Sequence, residues 1–128
     1  MTVTFFALDV PDRPGTLGDV ASKLHASKVN IEAFAVDRTG IRILTNDPDA
    51  ARGCLEDNDI GYAAEDVIEI ELPNKPGELA RIAVALGKHG VNIVSSFGSA
   101  STGAETGKIF IGVDQVDAAW DALEELDT

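Results

Sequence analysis

The chain has 128 residues, of which 45% are hydrophobic and 25% are charged, and its 22 acidic and 10 basic residues give a net charge of −12. This length suits one ordinary domain or two very small ones. Because so negative a field repels polyanions, nucleic acid and anionic membranes are excluded as expected partners. The dispersed acidity and the scarcity of lysine indicate a halophilic protein from a salt-rich cytoplasm. An ordinary acidic protein kept soluble by its charge is the alternative.

Targeting and metal-binding signals are weak. No apolar run approaches the ~20 residues that span a bilayer, and the first residues lack the basic region of a secretory signal, so we expect a cytoplasmic protein. Cys54, His25 and His89 make a poor metal-binding set. We expect Cys54 to be a small apolar residue within a helix, and both histidines to lie near helix ends, where the dipole suits an imidazolium. We therefore expect no metal and no cofactor.

The first half of the chain begins with a β-rich run, TVTFFALD, at residues 2–9. The stretch VPDRPGTL follows, and its step from Pro14 to Gly15 is predicted to begin a helix because proline presets the φ of a first helical turn. Residues spaced at i, i+3, i+4 and i+7 give this helix one apolar face, which consists of Leu17, Val20, Ala21 and Leu24.

Two further strands, a helix and a weak strand complete the first half. The strands VNIEAFAVD and GIRILTN are joined by a tight turn at residues 37–40. The helix contains Cys54 and Leu55, and the weak strand lies near residues 60–64.

The second half repeats this order at an offset of 62 residues. LPNKPGEL at 72–79 matches VPDRPGTL at 10–17, and nine of 28 aligned positions are identical. A strand is predicted at 66–72, a helix after Pro76 and Gly77, and two more strands at VNIVSSFGS and GKIFIGV. An internal repeat this strong indicates two copies of one structural unit.

The hairpin between the second and third strands differs between the copies. The second copy has a longer loop at 98–107, after which the best offset becomes 68. A final helix follows, with Trp120 predicted to be a core anchor. Only Asp127 and Thr128 follow Leu126, so we expect the second copy to lack a fourth strand.

Both copies therefore follow the order β-α-β-β-α-β of the ferredoxin-like fold, an α+β architecture. We expect antiparallel sheets with both helices on one face, and domains at residues 1–64 and 65–128. Without a fourth strand, the strand at 66–72 would present an uncovered edge unless the strand at 60–64 is shared between the halves. Since proteins normally cover such edges, we expect a homo-oligomer.

The repeated Pro-Gly loops are suited to binding a small anion. Gly15 and Gly77 carry no Cβ, so another group can approach the backbone closely. The free N–H groups and dipole of the following helix favour negative charge, and an amino acid's α-carboxylate is one suitable anion. Asn30 and Asn92, at the start of the second strands, add amide groups that both donate and accept hydrogen bonds.

The combination P-[DN]-[RK]-P-G-x-L, followed twelve residues later by V-N-I, occurs twice and resembles the ACT domain family, the small-molecule regulatory module of amino-acid metabolism. The resemblance covers nearly the whole chain. It implies a non-catalytic regulatory protein made of a tandem pair of ACT domains. In that family, modules pair side by side, and amino acids bind between the first loop of one module and the second strand of its partner.

The resemblance also implies the ligand-binding positions. Serine-binding members place Asn in both loop and strand, as this chain does with Asn74 and Asn92 but not with Asp12 and Asn30. We therefore expect the second loop to contribute most of the affinity. Carried over residue by residue, the implied positions are Asn74, Pro76, Gly77, Leu79, Asn92 and Ile93, with Asp12, Pro14, Gly15, Leu17, Asn30 and Ile31 in the first copy.

Three other functions compete with an amino-acid sensor. A ligand-free protein-interaction subunit that regulates a separate metabolic enzyme is the nearest, because the sequence separates it poorly from a sensor. An enzyme is disfavoured because no nucleophile has an adjacent base; the acylphosphatases share the fold, but the glycine-rich phosphate cradle expected around Arg13 is missing. An RNA-recognition module is disfavoured by the charge and by the scarcity of aromatic residues on the strands.

Overall fold

The computed structural model describes residues 1–126, and Asp127 and Thr128 lie outside the described residues. Within the described part, no helix is long and apolar enough to cross a membrane. The elements are β1 (Thr2–Asp9), α1 (Thr16–Ala26), β2 (Ile31–Asp37), β3 (Gly40–Thr45), α2 (Pro48–Asp57), β4 (Gly61–Pro73), α3 (Glu78–Lys88), β5 (Ile93–Ser99), β6 (Thr106–Val113) and α4 (Val116–Leu126). This order confirms the predicted α+β, ferredoxin-like class.

The chain divides into two compact units. The first unit is Thr4–Glu65, and the second consists of Met1–Val3 with the chain from Asp66 onward. The division falls inside β1 and inside β4. The strands predicted at 60–64 and 66–72 are in fact one continuous strand, β4, whose two ends belong to different units.

The first unit has the strand order β2-β3-β1-β4, with β3 antiparallel to both β1 and β2. Alternate residues of β1 and β3, such as Phe6 and Ile43, face both helices and are fully buried against Leu24 of α1 and Leu55 of α2. Each buried side chain of this size contributes roughly 1.5–3 kcal/mol of hydrophobic stabilisation. The core therefore lies between the sheet and one layer of helices.

The second unit repeats this arrangement with the order β1-β4-β6-β5, in which β1 contributes only its first residues. Ile68 of β4 and Ile111 of β6 pair across the sheet and are buried with Leu86 of α3 and Leu123 of α4. The two cores thus use equivalent apolar positions of the repeat.

The N-terminal residues cover the edge that the sequence left open. Met1 and Glu69 exchange both backbone hydrogen bonds, at 2.8 and 3.0 Å, as residues do in an antiparallel pair. The indole Nε1 of Trp120 donates to the Thr2 hydroxyl at 2.9 Å. Among residues 1–126 no strand follows α4, so residues 1–3 take the position of the fourth strand. The prediction of an uncovered edge at 66–72 was wrong, because pairing between residues 68 positions apart leaves no local signal.

Because this edge is covered, it no longer supports the expected homo-oligomer, which stays a prediction.

Each helix after a Pro-Gly step begins at the residue that follows the glycine. Gly15 and Gly77 are the N-cap residues, with φ of 88° and 90°, and Thr16 and Glu78 are the first helical residues. These dihedral angles are those of the third residue of a type II turn, which favours proline immediately before glycine. The prediction that Pro14 starts the helix was therefore wrong: it lies in the turn that precedes the helix.

The predicted positions of Cys54, His25 and His89 are confirmed, and that of Trp120 is only partly so. Cys54 is buried in the first core, and its Sγ lies 3.4 Å from the Lys23 carbonyl oxygen. His25 is in the last turn of α1, and His89 is the C-cap of α3. Trp120 is only half-buried and packs against the second core rather than at its centre.

Candidate functional site

A cavity of about 500 Å³ lies beside the N-terminus of α3, within the second unit. We call it the second-unit cavity. Its walls are residues 72–75 at the end of β4 and in the following loop, Glu78 and Leu79 of α3, and residues 96–100, 107 and 109 of the β5–β6 hairpin. This volume lies within the usual range of small-molecule sites, about 300–1,000 Å³.

The equivalent positions of the first unit enclose a much smaller space of about 180 Å³, which we call the first-unit cavity. Its walls are the β1–α1 loop, the first turn of α1 and the ends of β2 and β3 near Val36 and Ile41. Asp37 closes it at the hairpin turn. The Thr39 hydroxyl donates to Asp37 Oδ1 at 2.5 Å and, with the Thr39 backbone N–H at 2.8 Å, holds the pKa of Asp37 below its ordinary value.

Side-chain size on the edge strand explains part of the difference in volume. Val36 in the first unit corresponds to Gly98 in the second, and both face the equivalent isoleucine of the neighbouring strand. A Cβ on Gly98 would lie 2.8 Å from the Lys108 carbonyl oxygen and 2.9 Å from Ile109 Cγ1. The second unit therefore requires glycine there, and the missing side chain leaves the cavity open.

The N-terminus of α3 carries a charge cluster that the sequence interpretation missed. Glu78 is the first helical residue, its side chain is 13% exposed, and it lines the cavity. Its Oε2 accepts from Arg81 Nη2 at 2.8 Å, and Lys75 Nζ lies 3.8 Å from its Oε1. An acidic residue in the first turn suits the helix dipole, and this position directly after Pro-Gly was the available signal.

Asn74 faces the hairpin loop as well as the cavity. Its backbone N–H donates to the Glu105 carbonyl at 2.8 Å, and its side-chain Nδ2 donates to the Ala104 carbonyl at 2.9 Å. The amide that the sequence assigned to a ligand thus holds segment 99–106, which connects β5 to β6.

The other loop positions predicted for the second copy remain accessible. Pro76, Gly77 and Leu79 are exposed, and Leu79 lines the cavity. No heavy atom of the described chain outside its immediate neighbours lies within 4 Å of a Cβ placed on Gly77, and no side chain of residues 1–126 caps α3. The backbone N–H groups at this end of α3 are therefore open to a ligand or a partner. Gly15 in the first unit is equally open.

The predicted strand residues lie elsewhere. Asn92 and Ile93 do not line the second-unit cavity, and Asn30 and Ile31 do not line the first-unit cavity. The Asn92 N–H donates to Asp114 Oδ1 at 2.9 Å, and the Asn30 N–H donates to Asn46 Oδ1 at 2.9 Å. The structure thus does not bring loop and strand positions of one unit together.

A groove between α3 and α4 has a comparable volume, about 510 Å³, and two of its basic side chains pair with glutamates. Arg81 contacts Glu78, and His89 lies 3.2 Å from Glu125 and 3.1 Å from the Ala85 carbonyl. Within residues 1–126, no group of three or more His, Cys, Asp or Glu residues is placed to hold a metal ion.

Comparison with known proteins finds a family similarity in the second half of the chain. Residues 67–119 match the family model of the ACT domain. The protein BT0572 from Bacteroides thetaiotaomicron is 25% identical, with a TM-score of 0.88 over 99% of this chain and 90% of that one.

Two aspartate kinase structures share the fold. The regulatory subunit of aspartate kinase from Thermus thermophilus is 17% identical, with a TM-score of 0.67 over 97% of this chain and 90% of that one. Aspartate kinase from Clostridium acetobutylicum is 17% identical, with a TM-score of 0.61 over 94% of this chain but 32% of that one. No curated protein sequence matches the chain significantly.

Proposed function

Because residues 67–119 match the family model of the ACT domain, we propose that the chain is a non-catalytic regulatory protein that binds a small amino acid and modulates amino-acid metabolism. The first unit, which repeats the motif and the fold of the second, is proposed to be another ACT domain. The two domains would then occupy residues 1–64 and 65–128, apart from residues 1–3, which belong to the second unit. The observation that carries the proposal is the second-unit cavity at the uncapped end of α3.

The chemistry around this cavity suits a zwitterion. The open N–H groups and the dipole of α3, helped by Lys75 at the rim, favour an α-carboxylate. The Glu78 carboxylate, partly buried in the same wall, favours an α-ammonium. Ser96 and Ser99 supply neutral hydrogen-bonding groups for a small side chain. The wall of the cavity thus carries groups that complement both charges of an amino acid.

The remaining predicted positions fit a site completed by a second module. Asn92 and Ile93 are exposed and do not line their own unit's cavity, so they would contact an amino acid bound to another module. A homo-oligomer supplies such a module. The first copy's positions would form the weaker site, and these are Asp12, Gly15, Leu17, Asn30 and Ile31.

The regulated partner is proposed to be an enzyme of amino-acid metabolism in the cytoplasm. Support comes from the fold shared with the regulatory subunit of aspartate kinase from Thermus thermophilus. To signal, the amino acid must bind two states of the protein with different affinity. We propose that the two states differ in how the ACT modules pair.

A thermal-shift panel of the twenty amino acids tests the proposal. The panel is run at about 2 M KCl, where the self-repulsion of a −12 chain is screened. We expect one or a few small amino acids to raise the melting temperature, and we expect the melting temperature without ligand to rise with KCl as in a halophilic protein. A panel in which no amino acid changes the melting temperature would contradict the sensor.

A ligand-free protein-interaction subunit is the second candidate. The observation that favours it is the exposure of Phe34 and Val36, at 57% and 50%, on the edge strand β2 of the first unit. Exposed apolar side chains on an edge strand are typical of a protein contact. This function would be favoured if no amino acid of the panel changed the melting temperature and a Phe34→Ser variant no longer regulated the enzyme.

A further inference from the structure

The extra residues of the second hairpin extend the central pairing of the second unit. In the first unit, β1 and β3 pair as far as Leu8 and Ile41. In the second unit, the equivalent pair is Ile70 and Ile109, and the β4–β6 ladder continues from there to Pro73 and Thr106. The longer hairpin therefore runs alongside the loop that precedes α3, where the first unit has only a tight turn.

Asn74 continues this ladder with both its backbone and its side chain. Its N–H donates to the Glu105 carbonyl at 2.8 Å, and its Nδ2 donates to the Ala104 carbonyl at 2.9 Å. The loop is folded on itself by a bond from the Ala104 N–H to the Ser101 carbonyl at 2.9 Å, with Gly103 at a φ of 81°. One asparagine thus binds two successive carbonyls at the end of a preformed turn.

The opposite side of the segment packs closely against β6. A Cβ on Gly107 would lie 3.0 Å from Ala100 Cβ and 3.1 Å from the Ser99 carbonyl oxygen. Ser99 and Ala100 line the second-unit cavity, so the segment that Asn74 holds is one of its walls. The wall is therefore fixed by close packing at Gly107 and by hydrogen bonds at Asn74.

We infer that Asn74 is a positioning residue that fastens segment 99–106 as the outer wall of the second-unit cavity, and that this wall sets the size of the amino acid admitted. The size selection rests on the proposed function, whereas the fastening does not. One donor of the side-chain amide is directed at the Ala104 carbonyl. Aspartate cannot replace it, because a carboxylate has no donor and is repelled by the carbonyl. The first copy accommodates Asp12 because its tight turn at residues 37–40 places no such loop there.

The first test compares Asn74→Asp with Asn58→Asp in the ligand-free protein. Asn58 is a matched control because its Nδ2 also donates to a backbone carbonyl, that of Cys54, at 2.8 Å in the first unit. Amide hydrogen exchange is measured by NMR. In Asn74→Asp, the Asn74-position and Ala104 N–H groups should exchange about tenfold faster, which corresponds to about 1.4 kcal/mol. Asn58→Asp should leave both rates unchanged. Unchanged rates in Asn74→Asp would overturn the inference.

The second test measures the binding of L-alanine, L-leucine and L-phenylalanine by calorimetry. The wild type and Asn58→Asp should share one order of affinity, whereas Asn74→Asp should bind the two larger amino acids at least about tenfold better relative to L-alanine. An unchanged order with faster exchange would overturn the size selection. If none of the three binds to the wild type, the size selection is overturned, whereas the proposed function is still decided by the panel of twenty amino acids. The exchange result still decides whether Asn74 holds the wall.

Discussion

The two cavities occupy equivalent places in the repeat, yet one measures about 500 Å³ and the other about 180 Å³. Both lie beside a helix that begins after a Pro-Gly turn with a left-handed glycine, and both are bounded by the next hairpin. The first cavity is closed by Val36 and a tight turn, and the second is left open by Gly98 and walled by a longer hairpin. A single scaffold thus carries two different surfaces.

The comparison shows which parts of the repeat are free to change. The Pro-Gly turn and the start of the helix are needed to lay the helix across the sheet, so they are the same in both copies. The edge strand contributes little to either core, so its residues can be apolar and exposed, as Phe34 and Val36 are, or small, as Ser96 and Gly98 are. A contact surface and a ligand cavity can therefore arise from the same fold.

Gly98→Val, which copies the first unit into the second, should have the largest effect. The new side chain would collide with the Lys108 carbonyl and with Ile109, so we expect about 1–3 kcal/mol of destabilisation as in other overpacked sites. It would also fill the cavity and abolish amino-acid binding. Urea unfolding and calorimetry measure the two effects. The reciprocal Val36→Gly should cost only about 0.5–1 kcal/mol and leave binding intact. Loss of binding in that variant would show that the amino acid binds to the first unit instead.

Gly77→Ala and Gly15→Ala form a pair that separates scaffold from site. Both glycines have φ near 90°, so alanine should cost about 1–2 kcal/mol in either unit. Because the Cβ of alanine enters open space beside α3, only Gly77→Ala should also weaken binding. Chemical denaturation of both variants and a ligand titration of each are the measurements. Equal losses of affinity in the two variants would show that the N-termini of α1 and α3 contribute equally to binding.

How much of this was predictable depends on the range of the interaction. The element order, the buried helix faces and the Pro-Gly loops before α1 and α3 could be predicted. They follow from local periodicity and from the repeat offset of 62 residues. The covering of β4 by Met1 and the bonds from Asn74 to Ala104 and Glu105 join residues far apart in the chain, and no local pattern reports them. Glu78 could have been noted, since an acid at a helix start is a local signal.

The two units also differ in how their sheets are closed, and Thr2→Val tests that difference. The hydroxyl of Thr2 accepts from Trp120 Nε1 at 2.9 Å, and its loss leaves a half-buried indole donor without that partner. We expect about 1 kcal/mol of destabilisation. Thr4→Val, on the same strand but in the first unit, is the control and should cost less. Equal stability of the Thr2 variant and the wild type would indicate that residues 1–3 contribute little to the second unit.

The smallest expected effect concerns the tight turn of the first unit. Asp37 has a lowered pKa because the Thr39 hydroxyl and N–H donate to its carboxylate. The charged form is the stabilised one, so its contribution is present above the ordinary pKa near 3.9 and is lost as the pH falls through the lowered value. In Thr39→Ala, an NMR titration should find the Asp37 pKa closer to its ordinary value. An unchanged titration would mean that the hydroxyl is not the cause.

The central claim is that the second-unit cavity binds an amino acid far more tightly than the first-unit cavity does. An NMR titration of the ¹⁵N-labelled chain, with the amino acid that most raises the melting temperature, tests it most directly. We predict saturable shifts at residues 74–79 and 96–100, with residues 12–18 and 36–41 unchanged until far higher concentration. Shifts confined to residues 12–18 and 36–41 would contradict the account.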